Sequence, residues 1–212
     1  MTRFAVFASG SGTNLQRLIE ETRRGRFPAE LALVVSDRPG SRSVERARQA
    51  GIPIFAFDPR DYSEKAAYER EALRELRARG VGWIILAGYM RIIGPTLLEP
   101  YRDRILNVHP SLLPRFPGKD AIGQALRAGA DVTGVTVHMV DEGIDTGPIL
   151  AQRSVAIDPS DTEETLAERI HAVEHQLYPE VVAAVIRRSV ERSGAAPSGT
   201  TRSTAAQPQL PI

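Results

Sequence analysis

Phe4-Ala5-Val6-Phe7-Ala8-Ser9-Gly10-Ser11-Gly12-Thr13-Asn14-Leu15 passes from an apolar run, through a glycine-rich turn, into a helix start. A strand with no polar alternation is buried on both faces, as in the parallel sheets of α/β proteins. The same kind of run recurs at residues 31–35, 54–57, 83–87 and 105–109. Between these lie helical patterns at residues 13–24, 43–49 and 63–79. In the last of them, Tyr68, Ala72, Leu73 and Leu76 fall at helical spacing. Strand and helix in alternation predict an α/β fold whose mostly parallel central sheet has helices on both faces.

After Pro114 the rhythm changes. Residues 120–128 read as helix. Residues 134–140 alternate, with Val135, Val137 and Met139 on one side and Thr136 and His138 on the other. Residues 149–157 form another strand pattern. These two are expected to pair as an antiparallel C-terminal extension. The last helix is expected to start on a capping box of Ser160 and Glu163. Leu166, Ile170, Val173 and Leu177 form its apolar stripe. Pro179 is expected to kink or break it. One domain is predicted over residues 1–190. Residues 193–212 are rich in Ser, Thr, Gly, Ala, Pro and Gln, and are predicted to form a disordered tail.

The chain has 212 residues, a net charge of +1 and no cysteine. Disulfides, thiolate catalysis and zinc-thiolate sites are therefore excluded. Near-balanced charge gives no electrostatic case for nucleic acid. No apolar run approaches the ~20 residues that cross a membrane. A cytoplasmic protein is expected.

The glycine-rich turn offers backbone N–H groups and the positive end of a helix dipole to an anion. A dinucleotide fingerprint needs a further glycine where Leu15 stands, and a P-loop needs a lysine that is absent. The expected ligand is a single phosphate. The alternative is a tight turn capped by Ser11 or Thr13.

Asn107-Val108-His109-Pro110-Ser111-Leu112-Leu113-Pro114 carries the chemistry. Residues i and i+2 of a strand share a side, so Asn107 and His109 project together. Asp145 lies in a Gly- and Pro-rich loop between two strands, a poor place for a carboxylate unless it faces solvent or a site. The set suits acyl transfer to an amine. The carboxylate accepts the amine's proton, and the amide and imidazolium stabilise the oxyanion. No activated serine is evident, so direct transfer is favoured over a covalent intermediate. Other candidates carry less. His171 and His175 stand at i and i+4, but a solvated or substrate-facing side is expected there and no metal site. His138 reads as a hydrogen-bonded polar-face residue. Met90, Arg91, Ile92 and Ile93 can line a ligand slot at the sheet's carboxyl end, or Met90 and Ile93 can simply close the core.

Four blocks, residues 9–15, 87–92, 107–114 and 141–149, resemble in order and spacing the folate-dependent phosphoribosylglycinamide formyltransferases of purine synthesis. The resemblance covers residues 3–186. It implies a Rossmann-like formyltransferase fold and transfer of a formyl group from 10-formyltetrahydrofolate, a co-substrate, to the amine of 5-phosphoribosylglycinamide. It implies that Gly12, Thr13 and Asn14 hold the ribotide phosphate and that His171 and Glu174 reach the ribotide. It assigns Asn107, His109 and Asp145 to catalysis, His109 as proton donor. It places Lys65, Met90, Arg91, Ile92, Ile93, Asn107, Asp141, Glu142, Gly143, Ile144 and Asp145 at the folate. The partners it implies are small molecules, with a homodimer possible. Residues 119–123 depart from the family, many of whose members are His-rich there.

Two relatives share the Asn-x-His and Asp pattern. Methionyl-tRNA formyltransferases add a C-terminal barrel, for which little chain follows the last helix. Formyltetrahydrofolate deformylases usually add an N-terminal domain, whereas this chain is expected to start at its first strand. A non-catalytic folate- or nucleotide-binding module is the remaining alternative, and the Asn-His-Asp set argues against it.

Overall fold

A computed structural model describes residues 2–194. Its sheet has seven strands in the order β3-β2-β1-β4-β5-β6-β7. The strands are β1 (Thr2–Phe7), β2 (Ala29–Ser36), β3 (Ile54–Ala56), β4 (Trp83–Leu86), β5 (Ile105–His109), β6 (Val132–Met139) and β7 (Ile149–Ala156). The first five run parallel. β7 pairs antiparallel with β6, as the change of rhythm predicts, and β6 pairs antiparallel with β5. The helices are α1 (Thr13–Arg23), α2 (Arg42–Ala50), α3 (Lys65–Ala78), α4 (Pro95–Leu98), α5 (Ala121–Arg127) and α6 (Glu163–Gly194).

Two-fold periodicity divides the core. Phe4 and Val6 of β1 pack with Leu15, Leu18, Leu166, Ile170 and Tyr178 on one side of the sheet. Ala5 and Phe7 pack with Tyr68, Ala72, Leu76 and Leu97 on the other. A helical layer thus covers each face, which is why the central strands carry no polar alternation. β1 connects to β2 on one side while β4 lies on the other. The crevice outside their carboxyl ends is where ligands enter open α/β sheets. The glycine turn, residues 87–93 and the end of β5 all open there.

Three expectations about α6 need correction. Its capping box lies two residues later than predicted. The Thr165 N–H donates to Thr162 Oγ1 at 3.3 Å, and the Thr162 N–H to Thr165 Oγ1 at 3.0 Å. Ser160 Oγ instead bonds Asp158 at 2.6 Å. Of the kink or break expected at Pro179, the break does not occur, and the helix runs through it. The Tyr178 hydroxyl, fully buried, donates to the Leu86 carbonyl at 2.7 Å and lies 3.1 Å from that of Leu106. Leu177, Val182 and Ile186 pack on either side of the proline, and this burial outweighs its cost of about 3 kcal/mol. Finally, α6 runs through residues 193 and 194, assigned above to the tail. The rest of that predicted tail, residues 195–212, lies outside the described residues.

Candidate active site

β5 ends where its side chains matter. In the β5–β6 ladder Asn107 lies opposite His138, and His109 opposite Thr136. Asp145 arrives from the β6–β7 loop in the left-handed region, φ 55°. Asp tolerates that conformation better than most residues. Its carboxylate meets the β5 pair: Oδ2 is 3.3 Å from His109 Nδ1, and Oδ1 is 3.5 Å from Asn107 Nδ2. The Gly118 N–H also donates to Oδ2 at 2.8 Å. Asn107, His109 and Asp145 are therefore brought together.

Hydrogen-bond roles set the protons. His109 Nε2 lies 2.8 Å from the Phe116 carbonyl, which only accepts, so Nε2 carries a hydrogen. Nδ1 then makes a favourable contact with the carboxylate only as N–H. When the ring carries both protons, the pair is an imidazolium facing a carboxylate. Phe116 reaches this place at φ 55°, a backbone state that costs a bulky residue energy and that the surrounding contacts must hold. They include the bond of its own carbonyl with His109 Nε2 and, one residue earlier, the donation of the Ser111 hydroxyl to the Arg115 carbonyl at 2.5 Å.

His138 also joins this cluster, although alternation on β6 marks it only as a polar-face residue. It is 2% exposed, and its Nδ1 donates to the Met139 carbonyl at 2.7 Å. The neutral ring then accepts from Asn107 Nδ2 at 3.1 Å. When protonated, it instead presents Nε2–H to Asp145 Oδ1, 3.5 Å away. Either way it orients the amide and the carboxylate. Alternation on β6 marked His138 as polar-face, but only the register shows which residue it faces. Burial pushes the Asp145 carboxyl up. The adjacent His138 ring, the Gly118 N–H and the charge on His109 outweigh it and leave the pKa below the ordinary carboxylate value.

The glycine turn lies at the head of α1. Gly12 is its N-cap at φ 69°, and no side chain caps the helix, so capping by Ser11 or Thr13 does not occur. Asn14 Nδ2 donates to Glu174 Oε2 at 2.8 Å. Glu174 is 5% exposed, and burial raises its pKa against the opposing pull of Asn14 and His171. The predicted ribotide residues of α1 and α6 are thus in contact. His171 is exposed and stacks on His175 with ring centroids 6.4 Å apart.

A cavity of about 1500 Å³ is lined by Ser9–Ser11, Asp37–Arg42, Lys65, Tyr68, Met90–Ile92 and Lys119, among others. Lys65 and residues 90–92 of the predicted folate set line it together. Met90 and Ile92 are each 59% exposed, whereas Ile93 is core, so core closure falls to Ile93 and not to Met90. Arg91 Nε bonds Asp37 Oδ2 at 2.9 Å, and its guanidinium lies over Tyr68. Asp37 also accepts from Ser9 Oγ, which in turn receives the Met90 N–H at 2.8 Å. Buried Glu69 accepts the Gly94 N–H at 2.7 Å and lies 3.8 Å from Lys65 Nζ. These ties fix the loop after β4 from both sides. Asp141 and Gly143 hold the β6–β7 loop, with the Gly143 N–H and Thr146 Oγ1 bonding Asp141 Oδ1. Glu142 pairs with Arg102 at 2.6 Å, and Ile144 is 55% exposed. Lys119, in the departing stretch, lines the large cavity.

Residues 2–182 match the formyl transferase family. The chain is 52% identical over 182 residues to the phosphoribosylglycinamide formyltransferase of Bacillus subtilis (strain 168), covering 86% of this chain and 93% of that protein. It is 44% identical over 186 residues to the trifunctional purine biosynthetic protein adenosine-3 of Drosophila melanogaster, covering 87% of this chain and 14% of that one. The crystal structure of glycinamide ribonucleotide transformylase 1 from Geobacillus kaustophilus superposes with a TM-score of 0.85 at 60% identity, covering 87% and 98% of the two chains. That of phosphoribosylglycinamide formyltransferase from Bacillus halodurans gives 0.86 at 51%, covering 89% and 97%.

Proposed function

Since the chain belongs to the formyl transferase family, we propose that it transfers the formyl group of 10-formyltetrahydrofolate to the amine of 5-phosphoribosylglycinamide. The observation that carries the chemistry is the contact of Asp145 with both Asn107 and His109. The similarity to phosphoribosylglycinamide formyltransferases along nearly their whole length supports the substrate pair.

In this reading the amine attacks the formyl carbon and a nitrogen–carbon bond forms. Charge gathers on the formyl oxygen, where Asn107 Nδ2 serves as a donor and the positive charge of a protonated His109 adds to the stabilisation. The Asn107–Asp145 contact is at the limit of a hydrogen bond, so that N–H turns to the oxyanion at little cost. Asp145 takes the amine's proton. His109 supplies a proton to N10 of the departing tetrahydrofolate as the old carbon–nitrogen bond breaks. Asp145 Oδ2, 3.3 Å from His109 Nδ1, then returns the proton to the ring. The net result is one proton moved from amine to N10. The uncapped N–H groups at the start of α1, with Asn14 and Glu174, hold the ribotide. The cavity beside Met90–Ile92 receives the donor, with Lys65 at its wall. Both substrates are small molecules, and a homodimer is compatible with the reading.

Steady-state turnover tests this. Purified protein given 10-formyltetrahydrofolate and glycinamide ribotide is expected to release tetrahydrofolate only when both are present. Release at full rate without the ribotide would favour a deformylase.

A further inference from the structure

We infer that α2 is the scaffold of the phosphate-binding turn and that Arg46 is its principal positioning residue. The inference rests on the reading of residues 12–14 as the ribotide phosphate site.

Two successive carbonyls of the turn are held by α2. Gly10 O accepts the Ser43 N–H at 3.1 Å, and Ser11 O accepts Arg46 Nε at 2.9 Å. In a trans peptide, C=O and the following N–H point in opposite directions, and the bonds here are trans. Holding Gly10 O and Ser11 O toward α2 therefore turns the N–H groups of Ser11 and Gly12 away from it. Among the described residues, neither N–H donates to another group of the chain. Next come the first N–H groups of α1, which no side chain caps. Successive N–H groups turned the same way form an anion-binding concavity.

The packing is equally close. A Cβ on Gly12 would lie 2.8 Å from Ser43 Cα, 2.9 Å from Ser43 Cβ and 3.3 Å from Arg46 Cδ. Gly12 is thus required by the approach of α2 as well as by its φ of 69°. Arg46 also donates from Nη1 to Gln16 Oε1 at 3.3 Å, and Gln16 Nε2 donates to Glu20. One guanidinium therefore spans α2, the turn and α1. Arg46 acts through the backbone, and its role is positional.

The test is steady-state kinetics on Arg46→Ala and Arg46→Lys, with inorganic phosphate as a competitive probe of the ribotide site. Losing a charged hydrogen bond that orients the site is expected to raise the ribotide KM and the phosphate Ki together by about tenfold or more in Arg46→Ala. The donor KM and the kcat at saturation are expected to stay within about twofold of wild type on the same grounds. Arg46→Lys, which keeps a donor but not the fork, should fall between. If Arg46→Ala does not fold, the lysine variant decides alone. Unchanged ribotide KM and phosphate Ki in a folded variant overturn the inference, as does an equal loss on both substrates. Absence of competition by phosphate against the ribotide in the wild type contradicts the phosphate reading itself, a distinct outcome.

Discussion

Asp145 is a carboxylate that the fold keeps ionised, and its replacement separates charge from shape. Asp145→Asn keeps a side chain of the same outline but loses the proton acceptor. Turnover should fall by at least about 10³-fold, allowing for loss of both proton transfer and the imidazolium's partner. The ribotide KM should barely move, and near-wild-type kcat would remove Asp145 from the mechanism. The same variant has a pH signature in thermal melts. A carboxylate with a depressed folded-state pKa contributes stability that is full above the unfolded value of about 3.9 and is lost as pH falls below it. The melting-temperature gap between wild type and Asp145→Asn should shrink as pH falls from about 5 and close below about pH 4. A gap unchanged at low pH would contradict the assigned ionisation. At this scale, strand period two was enough to aim Asn107 and His109 together. His138 escaped that reading because its value lies in its cross-strand partner, and period says nothing about register between two strands. Phe116 O and Gly118 N escaped because backbone groups leave no mark in composition.

Element boundaries obey local chemistry that nearby alternatives can imitate. Ser160 and Glu163 fit the spacing of a capping box, yet Thr162 and Thr165 form the reciprocal pair. Asp158 captures Ser160 in a local turn, which is the competing use of a serine hydroxyl. Thr162→Ala should therefore cost roughly 1 kcal/mol in chemical denaturation, and Ser160→Ala no more than about half of that. The reverse order would restore the earlier boundary. The strands were legible because their burial on both faces writes continuous apolar runs. The course of α6 through Pro179 was not, because it depends on Tyr178 finding the carbonyls of Leu86 and Leu106, residues far away in sequence.

For the whole molecule, the strand order explains why distant segments meet. The parallel strands point their carboxyl ends to one edge, and the antiparallel β6 brings His138 back beside β5 there. The β6–β7 loop then returns Asp145 to the same edge. The α/β class and the sheet's antiparallel extension were readable from rhythm alone, whereas the convergence of three chemical segments required the topology. This edge is proposed to pass a formyl group directly from donor to ribotide amine. The most direct measurement follows a donor carrying ¹³C in its formyl group, with carbon NMR identifying the product that receives the label during turnover with glycinamide ribotide. The label is expected to pass into the ribotide formamide in step with tetrahydrofolate release. Label collecting as free formate at the same rate, with or without ribotide, would contradict it.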